Sequence, residues 1–397
     1  MSSDALNIPS AVAALLTALP PESLPAFLHE PEFLGREKEL VADCLDTGWV
    51  SYAGPRVPEF EAGLARICGR RHAIATTSGT AALHLALMLA GIGRDDEVII
   101  PTLTFVATAN AVAYCGAHPH FADSDSKTLG LDTQALGAHL KLIAVRDGEQ
   151  VINRQTGRRI GAIVPVHVLG HPSEDDGLIA LADQWGLPVI VDSTESLGSL
   201  RADRPAAAAG LLSVLSFNGN KIITTGGGGA ILTDDDELAA RARYLSTTAK
   251  QPHPWAFVHT ELGYNYRMPN LNAAVGLGQL ERLDDFVARK RVLAHTWRRI
   301  CAEIPGLSFF EEPAGSRSNY WLNAVLLDDP ACRDDLLAAL HAAKLMARPM
   351  WELMHNLPMF AEAPRAASLA VAEDLAARLV CLPSSPRLAS SPHLASL

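Results

Sequence analysis

Short apolar runs rich in branched residues alternate along this chain with stretches that have the apolar spacing of helices. This alternation restricts the fold more than any other feature of the sequence. Six such runs lie in the first two thirds of the chain: HAIAT (72–76), EVIIP (97–101), GAIVPVHV (161–168), LPVIVD (187–192), LSVLSF (212–217) and GAILT (229–233). Strands without polar alternation, separated by helices, are typical of a mostly parallel sheet that helices cover on both faces. The sequence therefore predicts an α/β fold.

The 397 residues are enough for one large domain and one smaller domain. Beyond the last of these runs, residues 270–304 have the apolar spacing of one long helix, and further strand-like and helical stretches follow. We therefore expect a large α/β domain over residues 36–265 and a small C-terminal α+β domain over residues 266–397. Residues 1–35 are predicted to form an arm and a helix that pack on the small domain.

The overall charge and the cysteine spacing exclude several classes of protein. A formal charge of −11, from 44 acidic and 33 basic residues, disfavours nucleic acid and anionic membranes as partners. No apolar run approaches the ~20 residues that span a bilayer, and the N-terminal segment lacks the positive charge of a secretory signal. The six cysteines are dispersed, which predicts reduced thiols in a cytoplasmic protein. His167 and His171 lack the glutamate of a HExxH motif, so no metal site is expected.

One lysine, Lys221, lies between the last two strand-like runs, in the segment SFNGNKIITTGGGGA, where four consecutive glycines follow it. A P-loop needs glycine directly before this lysine and serine or threonine after it, whereas Asn220 and Ile222 occupy those positions. The dinucleotide fingerprint also fails, because GIGRDD and GLGQLE both lack its third glycine. From its surroundings alone, Lys221 is either a solvated loop charge or a nucleophile.

Two carboxylates follow the end of the fourth apolar run. Asp192 comes directly after LPVIV, and Glu195 is three residues further on. Sites in open parallel sheets gather at the carboxyl ends of strands, so both carboxylates could face one pocket. The alternative for Asp192 is a helix N-cap, since Ser193 and Thr194 follow it.

Other strand ends carry groups that suit an anion and a flat ring. The segment Ser-Gly-Thr precedes a strongly helical run, where free N–H groups can bind an anion and Gly79 permits close approach. The alternative is ordinary capping by Ser78 or Thr80. Ser216 ends another strand and could add a hydroxyl group. Phe105 could supply a flat apolar face. The alternative is a core position, because phenylalanine is a residue type that is often buried.

An anion site, a flat wall, a carboxylate and an amine together fit one ligand. Pyridoxal phosphate has a phosphate, an aromatic ring, a ring nitrogen that needs an anionic partner, and an aldehyde that captures a lysine. The run of four glycines would then let the chain turn closely beside the cofactor and enter the next strand.

From about residue 28 to residue 388, the chain resembles the DegT/DnrJ/StrS sugar aminotransferases, which are pyridoxal-phosphate enzymes of fold type I. Several motifs in a fixed order carry the resemblance: HEPEFLGREKELVADCLDTGWVSYAGPRVPEFE, TSGTAALHLALMLAGIGRDDEVIIPTLTFVATAN, VHVLGHPSEDDGLIALADQWGLPVIVDSTESLGS, SFNGNKIITTGGGGA and LGYNYRMPNLNAAVGLGQL. Within the family, FNGNKIITTGGGG and NYWLNAVLL are most similar to the branch that acts on UDP-linked 4-keto-6-deoxy-N-acetylhexosamines, in legionaminic acid or bacillosamine pathways.

The resemblance implies a role for each matching position. Lys221 would form the internal aldimine with pyridoxal phosphate and carry protons. Asp192 would keep the ring nitrogen protonated, Glu195 would approach the phenolic oxygen, and Phe105 would stack on the ring. The residues implied for the phosphate are Gly79, Thr80, Ala81 and Ser216.

Family members place each site between two subunits, so the resemblance implies a homodimer. Asn265 would reach the phosphate from the partner, and Arg267 would reach the sugar nucleotide. Trp49, Tyr320 and His355 are predicted to contact the substrate. They lie in or beside the loops expected to set specificity, which are Trp49–Pro55, His253–His259, Arg317–Trp321 and Arg348–His355.

The implied activity is a transamination from glutamate to a nucleotide-linked keto sugar, which makes a 4-amino sugar for a surface glycan or a nonulosonic acid. Family dehydratases carry histidine in place of Lys221, so dehydration is disfavoured. Two alternatives stay open. One is an aminotransferase for a GDP- or dTDP-linked sugar, as in perosamine synthesis. The other is a non-catalytic regulator that binds the cofactor or a sugar nucleotide.

Overall fold

The computed structural model describes residues 6–389. In this range the α-helices are α1 (Ile8–Leu16), α2 (Glu37–Thr47), α3 (Arg56–Cys68), α4 (Gly79–Leu89), α5 (Val106–Tyr114), α6 (Thr133–Ile143), α7 (Asp175–Trp185), α8 (Asp236–Ser246), α9 (Asn270–Leu280), α10 (Leu283–Cys301), α11 (Arg333–Ala342) and α12 (Ala370–Arg378). The strands are β1 (His72–Thr76), β2 (Glu97–Pro101), β3 (His118–Ala122), β4 (Ala144–Asp147), β5 (Gln150–Asn153), β6 (Ile160–Ile163), β7 (Ile190–Asp192), β8 (Leu200–Arg201), β9 (Arg204–Pro205), β10 (Leu212–Ser216), β11 (Gly229–Thr233), β12 (Leu307–Phe309), β13 (Ser316–Arg317), β14 (Asn323–Leu327), β15 (Arg348–Pro349) and β16 (Leu379–Leu382).

Seven of these strands form a continuous central sheet. Hydrogen bonds give the orders β1-β11-β10-β7 and β3-β2-β6, and two parallel bridges, Ile163–Val189 and Val166–Asp192, join the two groups. Strand β11 is antiparallel to both of its neighbours, whereas β7 with β10 and β2 with β3 and β6 are parallel. The predicted mostly parallel α/β sheet is confirmed.

Three of the six apolar runs match a strand in both bounds. Strands β1, β2 and β11 have the predicted bounds, but β6 ends at Ile163 rather than continuing to residue 168. Pro165 lies just beyond that end and has no N–H group for a sheet ladder. Strand β3 was not predicted, because its sequence HPHFA contains no run of branched apolar residues.

Helices cover the central sheet on both faces. One apolar cluster joins the sheet to α4, α5 and α8, and a second joins its other face to α3, α9 and the start of α10. A third cluster places α6 and α7 against the strands around β6. Because the strands are buried on both sides, polar side chains reach solvent mainly at the strand ends.

The C-terminal part of the chain builds a second, antiparallel sheet with the order β12-β14-β16-β15. Helices α10 and α11 pack against it, and α1 joins the same apolar cluster through Ala11 and Leu15. The N-terminal helix therefore lies beside α11 and α10. The division of the chain into the predicted residue ranges stays a prediction.

The single long helix expected over residues 270–304 is two helices, α9 and α10, with a break at Glu281 and Arg282. Helix α9 lies unusually close to its neighbours: a Cβ at Gly276 would be 2.8 Å from the Phe60 ring, and one at Gly278 would be 2.8 Å from the Glu37 backbone nitrogen. The break lets α9 stay in this close contact with α2 and α3 while α10 turns toward the second sheet. Apolar spacing alone does not reveal such a break, since the spacing continues through it.

Candidate active site

A cavity of about 330 Å³ opens where β7, β10 and the start of α4 meet. It is lined by Ser78, Gly79, Thr80, Leu83, Thr104, Phe105, Ala107, Thr108, Val166, Asp192, Thr194, Glu195, Ser216, Asn218, Asn220, Lys221, Gly227, Gly228, Trp321 and Trp351. The strands end at this edge of the sheet, so side chains from distant parts of the sequence converge there.

Lys221 points its amine into this group of residues. The Nζ atom donates a hydrogen bond to Glu195 Oε1 at 3.2 Å and lies 4.0 Å from the centre of the Trp321 ring. Its backbone N–H donates to Asn218 O at 3.0 Å, which holds the turn that carries the side chain. Lys221 is therefore a largely buried, ion-paired lysine and not a solvated loop charge.

The glycines after Lys221 are needed where the chain passes its own backbone. A Cβ at Gly229 would lie 2.5 Å from the carbonyl group of Ser78, and one at Gly228 would lie 2.3 Å from Thr225 Oγ1. Gly226 has φ of +79°, a region that side chains disfavour. At Gly227, by contrast, a Cβ would meet nothing within 4 Å. Backbone conformation at Gly226 and close packing at Gly228 and Gly229 thus account for three of the four glycines within the protein itself, whereas from the sequence we expected the run to approach the cofactor.

Asp192 ends β7 and is buried. Its Oδ2 accepts a hydrogen bond from Thr108 Oγ1 at 2.8 Å, and its Oδ1 accepts one from the Thr194 backbone N–H at 3.2 Å. No helix begins after it, since residues 193–199 form turns. The alternative of a helix N-cap is therefore wrong, and the carboxylate is held at the cavity wall.

Glu195 is the second buried carboxylate of the cavity. Its Oε2 accepts the Leu169 backbone N–H at 2.8 Å, and its Oε1 accepts from Lys221. Burial raises the pKa of the Glu195 carboxyl, and the Lys221 amine and the Leu169 N–H oppose that rise. Asp192 adds to it, because two carboxylates near each other disfavour double ionisation.

The start of α4 forms an anion site beside these groups. A helix begins with N–H groups that have no acceptor within the helix. Ser78 accepts two of them, from Ala81 to its Oγ and from Ala82 to its carbonyl, each at 3.0 Å. Among the hydrogen bonds of residues 6–389, this leaves the N–H groups of Gly79 and Thr80 for a ligand. A Cβ at Gly79 would lie 2.8 Å from the Ser216 Cβ, so this corner is built tightly.

Two further predicted residues sit differently relative to the cavity. Ala81 does not line it, and its N–H is already accepted by Ser78. A phosphate contact at Ala81 would therefore compete with the helix cap. Phe105 lies at the N-terminus of α5, is half exposed, and lies edge-on to the Trp351 ring at 6.0 Å. It is therefore a wall of the cavity rather than a core residue.

Five predicted residues do not line the cavity of this chain: Trp49, Asn265, Arg267, Tyr320 and His355. Trp49 and Asn265 are exposed on the surface. Arg267 is ion-paired with Glu61 at 2.7 Å.

The other two have polar partners that do not line the cavity. Tyr320 is buried, and its hydroxyl accepts the Glu312 backbone N–H at 3.1 Å. His355 Nδ1 lies 2.7 Å from Thr102 Oγ1, and burial lowers the pKa of its ring. The contact of Asn265 with the cofactor phosphate and the contacts of the other four residues with the substrate stay predictions.

The structure brings in residues that had not been singled out. Thr108 is one helical turn after Phe105, so their shared face was readable from the spacing. Trp321 and Trp351 lie in two of the segments expected to set specificity, but no local pattern showed that they face Lys221 and Phe105. Those contacts depend on how the second sheet packs against the first.

The residues present fit pyridoxal phosphate. The open N–H groups at the start of α4, together with Ser216, suit its phosphate, and Phe105 suits its ring. Asp192 is held by Thr108 where a carboxylate could face a ring nitrogen, and Lys221 supplies the amine. The fold and the site together define a pyridoxal-phosphate-dependent enzyme of fold type I.

Comparison with known proteins gives the family. The chain belongs to the DegT/DnrJ/EryC1/StrS aminotransferase family, whose profile matches residues 33–393. It is 35% identical over 361 residues to EpsN of Bacillus subtilis (strain 168), named provisionally as a pyridoxal phosphate-dependent aminotransferase, covering 90% of each chain. It is 36% identical to the GDP-perosamine synthase of Escherichia coli O157:H7, covering 91% of this chain and 94% of that one.

A solved structure agrees with these relatives. DesI, in the presence of its TDP-sugar product, superimposes with a TM-score of 0.80 at 32% identity, over 94% of this chain and 91% of that one. The suspected family and the fold type are thus confirmed. Within residues 6–389, every helix is too short or too polar to span a bilayer.

Proposed function

We propose that this enzyme transfers the amino group of glutamate to the keto carbon of a nucleotide-linked 4-keto-6-deoxy sugar, with pyridoxal phosphate as cofactor. One observation carries the proposal: the Lys221 amine, the Asp192 carboxylate and the open N–H groups of α4 line the same cavity. The family match and the sugar-nucleotide names of the relatives support it.

Several residues of the cavity have distinct tasks in this proposal. When bound, the cofactor supplies an aldehyde that accepts the amino group and a ring that delocalises the electrons released at the substrate carbon. Lys221 would bind it covalently and, when displaced, move a proton at Nζ. Asp192, oriented by the Thr108 hydroxyl, would accept a hydrogen bond from the ring nitrogen. Gly79, Thr80 and Ser216 would hold the phosphate.

Glu195 would hold the displaced amine. Its carboxylate already accepts a hydrogen bond from Lys221 Nζ at 3.2 Å. The Leu169 N–H fixes the other carboxylate oxygen, so Glu195 does not have to reorganise when the amine arrives. This arrangement keeps the proton-carrying group within the cavity throughout the reaction.

The nucleotide of the acceptor is the finer part of the proposal. The sequence resemblance favours UDP, through the stretches FNGNKIITTGGGG and NYWLNAVLL. The relatives favour GDP at least as well, because three of them, at 36%, 36% and 33% identity, are GDP-perosamine synthases. We retain the UDP-linked N-acetylhexosamine as the first candidate and the GDP-linked sugar as the second.

We further propose a homodimer with shared sites. Asn265 is exposed, as a residue that contacts a second copy must be in the separate chain. Arg267 is held by Glu61 in its own chain, so it would act on the substrate of the partner subunit from a fixed position.

A cytoplasmic location is supported by the cysteines at 44, 68, 115, 301, 332 and 381, which are all free thiols.

The function is tested with purified protein, pyridoxal phosphate and glutamate. UDP-, GDP- and dTDP-linked 4-keto-6-deoxy sugars are supplied in turn, and the 4-amino product is measured by mass spectrometry. We expect one nucleotide to dominate and Lys221→Ala to abolish both turnover and the borohydride-sensitive visible band. Lys141→Ala, which changes an exposed lysine on α6, is the matched control and keeps both. A Lys221→Ala protein with normal turnover would overturn the assignment.

A further inference from the structure

The Trp321 side chain makes two contacts at the catalytic lysine. Its ring centre lies 4.0 Å from Lys221 Nζ, and its Nε1–H donates to the carbonyl of Asn220, the preceding residue, at 2.6 Å. A cationic amine over an indole face is attracted by the ring quadrupole. One buried side chain thus contacts both the amine and the backbone that carries it.

The backbone of Trp321 is held from both sides. Its N–H donates to Asn319 Oδ1 at 2.7 Å, and its carbonyl accepts a hydrogen bond from Lys290 Nζ at 3.0 Å. Asn319 and Lys290 are both fully buried. Lys290 belongs to α10 and also donates to the carbonyl of Ser384, so it ties Trp321 to the second sheet.

Asn319 also connects the backbone of Trp321 to Glu195, the carboxylate that pairs with Lys221. Its Nδ2 donates to the carbonyls of Glu195 at 2.8 Å and Leu197 at 2.9 Å. Space for this amide depends on a glycine, since a Cβ at Gly170 would lie 2.0 Å from Asn319 Oδ1. The positions of Trp321 and Glu195 are therefore set by one buried amide.

Tyr320, which lies between Asn319 and Trp321, has a strained backbone. Tyr320 has φ of +47°, in the left-handed region that residues with a side chain avoid. Such a conformation persists only where the surroundings over-determine it, and it clusters at functional sites. Here the bonds of Asn319 and Lys290 on either side of Tyr320 provide that constraint.

We propose that Trp321 is a positioning residue for the Lys221 amine. Its indole holds the free amine beside Glu195, so the amine returns to one place each time the substrate displaces it. Asn319 and Lys290 act through Trp321 by fixing its backbone. The inference rests on the proposed function, because only a reaction that releases and recaptures the lysine needs its free amine positioned.

The first test measures Lys221 in the cofactor-free protein. Formaldehyde and cyanoborohydride methylate lysines through the uncharged amine, and peptide mass spectrometry gives the rate at Lys221. Trp321→Leu removes the aromatic face that covers and holds the amine, so we expect methylation to be roughly tenfold faster. Trp351→Leu is the matched control, because Trp351 lines the same cavity but contacts Phe105 and should leave the rate unchanged. Equal rates in wild type and Trp321→Leu would overturn the proposal.

The second test uses Trp321→Phe, which keeps an aromatic face but loses the Nε1–H. We expect its Lys221 methylation rate to lie near wild type, and its kcat to exceed that of Trp321→Leu while KM for glutamate changes little. A Phe variant as impaired as the Leu variant would show that the ring face does not position the amine. Should Trp321→Leu not fold, Lys290→Met takes its place, because it frees the Trp321 backbone, and Trp321→Phe is measured beside it. A Lys221 methylation rate in Lys290→Met that equals the rates of wild type and Trp321→Phe would overturn the proposal. These rates are readable even if no sugar substrate is found, so they separate this inference from the proposed function.

Discussion

The substitution Gly229→Ala tests why the glycine run is there. Gly229 begins β11 and pairs with both Thr76 and Ser216, so it lies in the central sheet and cannot move freely. A Cβ there would be 2.5 Å from the carbonyl carbon and oxygen of Ser78 and 2.6 Å from the Gly79 nitrogen. Ordinary contact begins at 3.4 Å, so the backbone would have to move by close to an ångström.

The energetic consequence follows from what the added methyl group meets. Overpacking usually costs 1–3 kcal/mol, and backbone atoms cannot rotate away as a side chain can, so we expect about 3 kcal/mol of lost stability. For a chain of this size that corresponds to a fall in Tm of about 4 °C. The displaced atoms also carry the N–H groups proposed to bind phosphate, so cofactor affinity should fall by about tenfold or more.

The assay is thermal unfolding of the cofactor-free protein, followed by titration with pyridoxal phosphate. Gly227→Ala is the matched control in the same run, because a Cβ there meets nothing within 4 Å. It should unfold at or slightly above the wild-type temperature, since alanine restricts the unfolded chain. If Gly229→Ala unfolds at the same temperature as Gly227→Ala and binds the cofactor as tightly, the packing argument is wrong.

Three further predictions concern a buried histidine, the aromatic wall and the shared sites. Burial lowers the pKa of His171 to about 4, so the folded protein favours its neutral form. The free energy of unfolding should therefore fall by about 3 kcal/mol as the pH falls from about 6.5 to 4. His171→Phe should lose less of its free energy of unfolding between pH 7 and pH 4.5, as measured by urea titrations. Phe105→Ala should weaken cofactor binding by about tenfold in fluorescence titrations without lowering Tm, because Phe105 is half exposed; an unchanged affinity would count against the ring contact. Mixing Lys221→Ala with Asn265→Ala subunits should restore roughly a quarter of wild-type activity if sites are shared, since half of the random dimers regain one intact site; no recovery would indicate independent sites.

Local patterns in the sequence were sufficient for the sheet and for the chemistry at strand ends. Branched apolar runs gave β1, β2 and β11 with their correct bounds, because a strand buried on both faces tolerates few polar residues. Asp192 and Lys221 were recognisable for a similar reason. A charged group beside an apolar strand end must find a partner or a ligand. In the structure Asp192 and Lys221 line one cavity.

Other features depended on contacts between distant segments. The break between α9 and α10 follows from close packing on α2 and α3. Trp321 is 100 residues beyond Lys221, and its indole reaches the amine only because the second sheet packs against the first.

The sequence by itself determined the α/β class and the residue types that suit pyridoxal phosphate, because both follow from periodicity and from the chemistry of single side chains. Only the tertiary structure decided which of those side chains meet. It placed Glu195 against Lys221 and paired Arg267 with Glu61. The physical reason is that burial, ion pairing and packing are properties of groups brought together in space, and neighbours in the sequence carry only part of that information.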